Sequence, residues 1–155
     1  KRNPITTCRM IREFKIHPYR DEFREQLIRI WEDAVRATHD FLSPSDFQKI
    51  KEIVSRLDFK ELQVFCMVSS DEIAGFIGIA DRKIEMLFVS SEYFGRGFGL
   101  KLMQYAVNEL NTNKVDVNEQ NPQAIGFYEK MGFRKIGRSE KDGSGKDYPL
   151  IHMSL

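Results

Sequence analysis

Apolar and polar positions along the chain change period several times, and the changes divide it into helical and extended stretches. Phe23, Leu27, Ile30, Trp31, Ala34 and Thr38 recur at helical spacing, which predicts a helix over 21–37 with one apolar stripe. The run from Thr38 to Pro44 breaks that period. Ser43 or Ser45 then caps a second helix, marked by Phe47, Ile50, Ile53, Val54 and Leu57. From Leu62 the period drops to that of strands. Segments 62–69 and 73–80 flank the turn Ser69-Ser-Asp-Glu72 as a hairpin, and a third strand runs over 83–89. Ahead of the first helix, Met10-Ile-Arg-Glu-Phe-Lys15 alternates as a first strand would.

The third of these strands ends in Val89-Ser-Ser-Glu-Tyr-Phe-Gly-Arg-Gly-Phe-Gly-Leu-Lys101, where alternating glycines open into an amphipathic helix striped by Leu102, Tyr105, Ala106 and Leu110. Glycines 95, 97 and 99 free the backbone and let a ligand approach it closely. The start of the helix adds unpaired N–H donors and a positive dipole end, so the turn is a phosphate cradle in outline, with Arg96 and Lys101 as mobile charge. It is neither a G-x-x-x-x-G-K-[ST] loop nor the G-x-G-x-x-G of a dinucleotide fold. A tight turn without a ligand fits the same glycines.

Downstream, 114–118 reads as a short strand and 121–131 as a short helix with Asn121 as cap, Pro122 at its first position and Gly132 closing it. Strands over 133–138 and 148–155 finish the chain, joined by the Gly/Asp/Lys-rich loop 139–147. The last strand, with Ile151 and Met153, is a candidate to pair across a dimer, so monomer and homodimer are both open.

Composition narrows the picture only a little. A chain of 155 residues, 41% hydrophobic and 30% charged, is one globular domain, expected over 10–155. Residues 1–9 are polar and aperiodic and are expected to be a foreign remnant or disordered tail, with Met10 as native start and Cys8 without function. The net charge of +1 gives no general pull toward nucleic acid or an anionic membrane, and no run reaches a membrane span. Cys8 and Cys66 are too few for a metal site, and a reducing cytoplasm is the expected location.

A second motif, Asn121-x-x-Ala124-x-x-Phe127-Tyr128-x-x-x-Gly132-Phe133, follows the glycine turn. Together the two motifs resemble the GNAT superfamily of acyl-CoA N-acyltransferases. Ala37-Thr-His-Asp-Phe-Leu-Ser43, Val117-Asn-Glu-Gln-Asn121 and the tail Gly145-Lys-Asp-Tyr-Pro-Leu-Ile-His152 look like the small bacterial YjaB-type acetyltransferases within it. The resemblance implies an α+β GNAT fold: a central mixed, mostly antiparallel seven-stranded sheet, splayed between strands 4 and 5 and flanked by about four helices. Acetyl-CoA would wedge into the gap. Its pyrophosphate would sit on Phe94, Gly95, Arg96, Gly97, Phe98, Gly99, Leu100 and Lys101, and its pantetheine arm along the main chain of Leu87, Phe88 and Val89. Asn121 would bond that arm, with Ala124 and Phe127 beside it and Tyr128 near the sulfur. The family usually has Arg or Gln where this chain has Phe94, so weaker cofactor affinity is expected.

The implied chemistry is acetyl transfer to a primary amine by direct attack, in a ternary complex. It needs a neutral amine, donors for the developing oxyanion and a proton for the leaving thiolate. Tyr128 is the candidate general acid, although its helical face shared with Ala124, Phe127 and Met131 also suits plain core packing. Glu85, a charge inside an apolar strand, is the candidate base if it faces a wet cleft; His39, His152 and Glu119 are lesser ones, and a water chain could replace them all. His39 and Phe41, with loop 139–147, are expected at the acceptor entrance, where a protein or small-molecule amine would bind. The alternative is a non-catalytic acyl-CoA-binding sensor or partner module, which needs the cradle but not Tyr128.

Overall fold

The computed structural model describes residues 13–155; the tail over 1–9, Cys8 and the native start expected at Met10 lie outside the described residues. In chain order the elements are β1 (Lys15–Pro18), α1 (Arg24–Thr38), α2 (Pro44–Arg56), β2 (Gln63–Ser69), β3 (Glu72–Ala80), β4 (Lys83–Val89), α3 (Phe98–Leu110), β5 (Lys114–Asn118), α4 (Pro122–Lys130), β6 (Arg134–Ser139) and β7 (Leu150–Ser154). Of the alternation read from Met10 to Lys15, residues 10–12 lie outside the described residues and 13–14 are not part of a strand. Within the described residues the first strand begins at Lys15, because Lys15–Pro18 is the stretch that pairs antiparallel with Phe65–Val68.

Local chemistry sets the boundaries. The Ser43 side chain accepts the Asp46 N–H at 3.1 Å and Pro44 follows it, so α2 starts there and not at Ser45. Asn121 caps α4 in the same way, accepting from the Ala124 N–H at 3.2 Å. Asn111 (φ 53°) and Gly132 (φ 97°) take the left-handed conformation just past α3 and α4, as helix-ending residues do. The β3–β4 turn is made by Asp81 and Arg82, both at positive φ, which matches the twist of a two-residue hairpin.

The seven strands form one sheet in the order β1-β2-β3-β4-β5-β7-β6. Alternate side chains feed two cores. Phe76 packs with Leu27, Trp31 and Phe47 on the α1/α2 side, while Ile77 packs with Leu102, Met103 and Tyr128 on the α3/α4 side. Removing either set would cost several kcal/mol; a fully buried leucine such as Leu27 is worth about 2–5 kcal/mol against alanine. The suggestion that the last strand pairs across a dimer is corrected here. β7 lies between β5 and β6 with both edges occupied, and Ile151 and Met153 are buried in the core.

The break that matters for function lies between β4 and β5. They run parallel but pair only at Lys83 with Lys114 and Ile84 with Val115. Beyond Ile84 the two strands diverge, while β4 stays paired to β3 as far as Val89. One edge of Leu87–Val89 is therefore left open inside the sheet.

Candidate active site

The splay becomes a cleft of about 550 Å³, a size suited to a cofactor. β4 gives one wall (Leu87, Phe88, Val89), α4 the other (Asn121, Ala124, Phe127, Tyr128), and the glycine turn with the start of α3 closes one end. Gly95 (φ 77°) and Gly97 (φ 79°) adopt a conformation that a Cβ disfavours. The N–H groups of residues 95–100 have no backbone acceptor among the described residues; the first bond of α3 runs from the Lys101 N–H to the Gly97 carbonyl at 3.0 Å. A row of free donors thus faces the cleft at the positive end of a helix. At Gly99 a Cβ would lie 3.9 Å from both Val89 and Phe127, partly filling the space between the walls.

The turn is anchored from outside. The Asp33 carboxylate, on α1, accepts the Ser91 N–H at 2.6 Å and the Ser91 hydroxyl at 2.9 Å. Tyr93 is buried between Phe14 and Phe98 and its hydroxyl donates to Glu72. Neither anchor was foreseen. Both depend on residues distant in the chain, which no local pattern pairs.

Tyr128 is 7% exposed, packed edge-on against Phe127 and Phe133, and it borders the cleft. Its hydroxyl has no hydrogen-bond partner among the described residues. Burial pushes its pKa well above that of an ordinary phenol, so it holds its proton throughout the neutral range. The ring is core, as the packing reading expects, and the hydroxyl is free at the cleft. Asn121 spends its side-chain oxygen on the cap, which leaves its amide N–H groups for the cleft.

Of the residues singled out from sequence, Leu87, Phe88, Val89, Phe94, Gly95, Gly97, Phe98, Gly99, Leu100, Asn121, Ala124, Phe127, Tyr128 and His39 all border this one cleft. Four do not. Arg96 lies over the Tyr93 ring and Lys101 over the Phe98 ring, outside the cleft wall. Phe41 packs against His39 and Tyr148. Glu85, expected to face the cleft, is exposed and does not line it: a bulge opposite Gly78 and Ile79 sends Ile84 to the α3/α4 core and Met86 to the α1/α2 core and leaves Glu85 exposed between them. Water, not a cleft, solvates this carboxylate.

The other titratable candidates are engaged elsewhere. Glu119 forms a two-pronged pair with Arg138 at 3.0 and 2.8 Å. His152 bridges Asp116 and Ser139, each at 2.6 Å. Cys66 is fully buried in the α1/α2 core, and burial pushes its thiol up to about 12. Loop 140–149 folds back onto α2, where the Tyr148 hydroxyl donates to Asp46 at 2.5 Å and Lys146 pairs with Asp46 at 3.3 Å.

Among the described residues, no helix is long and apolar enough to cross a membrane. The family profile described as "Acetyltransferase (GNAT) domain" matches residues 22–155. The chain is 42% identical to the peptidyl-lysine N-acetyltransferase YjaB of Salmonella typhimurium, over 86% of its own length and 92% of that protein's. It is 40% identical to the protein of the same name from Escherichia coli, over 87% and 92% of the two lengths. The solution structure of apo YjaB from Escherichia coli superposes with a TM-score of 0.84 at 36% identity, covering 92% of this chain and 97% of that one. Sheet order, splay and glycine turn agree with that likeness, and the chain belongs to the GNAT family of N-acetyltransferases and is an acyltransferase.

Proposed function

We propose that the chain moves the acetyl group of acetyl-CoA to the ε-amine of a peptidyl lysine, by direct attack in a ternary complex. The observation that carries this reading is the open β4 edge at Leu87–Val89, running straight into the unpaired N–H row of residues 95–100. An extended amide-bearing arm ending in a diphosphate matches both features. The residues present fit that cofactor: the Gly99 site would be narrowed by any side chain, and the Asn121 amide has N–H groups to give. Bound there, acetyl-CoA supplies an activated thioester. The exposed Phe94 adds no charge to the cradle, so the backbone donors carry the pyrophosphate.

Tyr128 then serves as proton donor at the departing sulfur. In water a phenol and a thiol differ by about 1.5 pH units, so full transfer costs about 2 kcal/mol. The dry wall that raises the phenol raises the thiol in the same direction, which keeps the mismatch small. Cys66 plays no part, since a buried thiol held near 12 supplies no thiolate nucleophile. The lysine acceptor is suggested by the printed activity of the YjaB relatives. We place the work in the cytoplasm, where acetyl-CoA and protein lysines coexist.

Calorimetric titration with acetyl-CoA, followed by two-substrate initial rates with a lysine peptide, tests the reading. Saturable binding and intersecting double-reciprocal lines are expected. Parallel lines, with acetyl trapped on Cys66, would overturn direct attack.

A further inference from the structure

His39, just past the end of α1, borders three cavities: the cleft, one of about 340 Å³ against the start of α2, and a smaller one of about 170 Å³. Phe88 borders the cleft and the smallest of the three as well, so His39 and Phe88 stand between those two. The smaller cavity is walled by Trp31, Val35 and Leu42, with Asp142 and Tyr148 contributed by loop 140–149. Apolar walls with one carboxylate suit an aliphatic chain that carries a terminal positive charge.

One face of the His39 ring chemistry is already fixed. The Thr38 hydroxyl lies 2.7 Å from the Ala34 carbonyl and 2.7 Å from His39 Nδ1. A carbonyl only accepts, so the hydroxyl proton goes to Ala34, and the contact with Nδ1 is favourable when Nδ1 carries the proton and donates. Nε2 then holds a lone pair, and no described residue hydrogen-bonds to it. Burial also holds the ring below the usual histidine range, against the opposing pull of Asp40, so it is neutral near pH 7.

We propose that Nε2 of His39 is the proton acceptor for an alkylammonium, a lysine side chain, that reaches the cleft through the smaller cavity, with Thr38 as the positioning residue that fixes the tautomer. This assignment rests on the acetyl-transfer reading. In the step, an ammonium N–H proton passes to Nε2 and the N–H electron pair stays on nitrogen as the nucleophilic lone pair. The imidazolium then returns its proton to water. In bulk water the two groups lie about four pH units apart, and burial lowers both, so the transfer is uphill and is drawn forward as attack on the thioester consumes the neutral amine.

The test uses the whole chain with histidine nitrogens labelled by ¹⁵N. NMR is expected to find His39 as the Nδ1–H tautomer, with Thr38→Val shifting it toward Nε2–H and Thr38→Ser restoring it. An Nε2–H tautomer in the wild type overturns the proposal. Adding n-butylamine should move the Nε2 resonance, and an unmoved resonance overturns it. In kinetics, His39→Gln should lower kcat by about 100-fold or more and remove the acidic limb of the kcat profile, with calorimetric affinity for acetyl-CoA retained. A retained limb and rate contradict the assignment. The charged and titratable groups around His39 are Asp40, Arg36, Asp142, Tyr148, Tyr93 and Tyr128. Asp142→Asn is the control that separates their influence from that of His39: the limb persists in this variant. If acetyl-CoA does not bind the wild type, the transfer reading fails, while the tautomer and n-butylamine arms still decide the proton acceptor.

Discussion

The Asp33 carboxylate on α1 holds both the N–H and the hydroxyl of Ser91, at 2.6 and 2.9 Å, across 58 residues of sequence. The two bonds fasten α1 to the segment leading into the glycine turn. Asp33→Ala is expected to lower stability by about 1–3 kcal/mol by freeing that N–H, and to weaken acetyl-CoA binding as the turn loosens. Urea unfolding and calorimetry read the two effects. Asp33→Asn, which keeps one acceptor oxygen, should fall between wild type and alanine.

Two glycines of the turn should fail differently. At Gly97 an added Cβ meets nothing within 4 Å, but φ is 79°, so Gly97→Ala should cost about 1–2 kcal/mol of stability through backbone strain alone. Gly99 has no such strain, and its Cβ would point at Val89 and Phe127. Gly99→Val should leave the melting temperature near wild type and raise the KM for acetyl-CoA. Thermal melts beside kinetics distinguish the pair.

What could be read from the sequence follows from how local each requirement is. Gly95, Gly97 and Asn121 announced themselves because a positive φ or a helix cap restricts residue type at one position. The β2–β3 hairpin, with Ser70 at positive φ in its turn, and the bounds of α3 were legible for the same reason. Glu85 was expected at the cleft because alternation assumes an unbroken strand, whereas the bulge sends Ile84 and Met86 into different cores and leaves Glu85 exposed between them. The interior position of β7 was illegible, since strand order depends on how the 139–149 connection returns and not on the strand's own residues. The His39–Phe88 partition needs α1 laid across β4, a contact no local pattern encodes.

Cys66 should be chemically silent in the folded protein. With its thiol held near 12 by burial, iodoacetamide at neutral pH should leave it unmodified until denaturant is added. Cys66→Ala should transfer acetyl at the wild-type rate, with a modest loss of stability from the emptied volume. Mass spectrometry of the alkylated protein provides the check.

A polar ladder crosses the sheet from Lys83 through Asp116 and His152 to Ser139. Burial alone would raise the Asp116 carboxyl, but hydrogen bonds from His152 and Lys83 outweigh it and hold its pKa below the usual range. A depressed carboxyl contributes stability that is full above its unfolded pKa, near 4, and lost as pH falls through the lower folded value. Asp116→Asn should therefore destabilise the protein by about 1–3 kcal/mol at pH 7 and much less near pH 3. Unfolding curves at the two pH values give the difference.

Acetyl transfer from acetyl-CoA to a lysine peptide, followed with wild type and Tyr128→Phe alongside calorimetric affinity for acetyl-CoA, decides whether the Tyr128 hydroxyl is the proton donor. The phenyl ring keeps the packing against Phe127 and Phe133 and removes only the hydroxyl. Unchanged binding with kcat reduced by about 100-fold or more is the predicted result, in the range that a positioned proton donor contributes. Equal turnover by both proteins, or a wild type that binds acetyl-CoA and acetylates no amine, would contradict it.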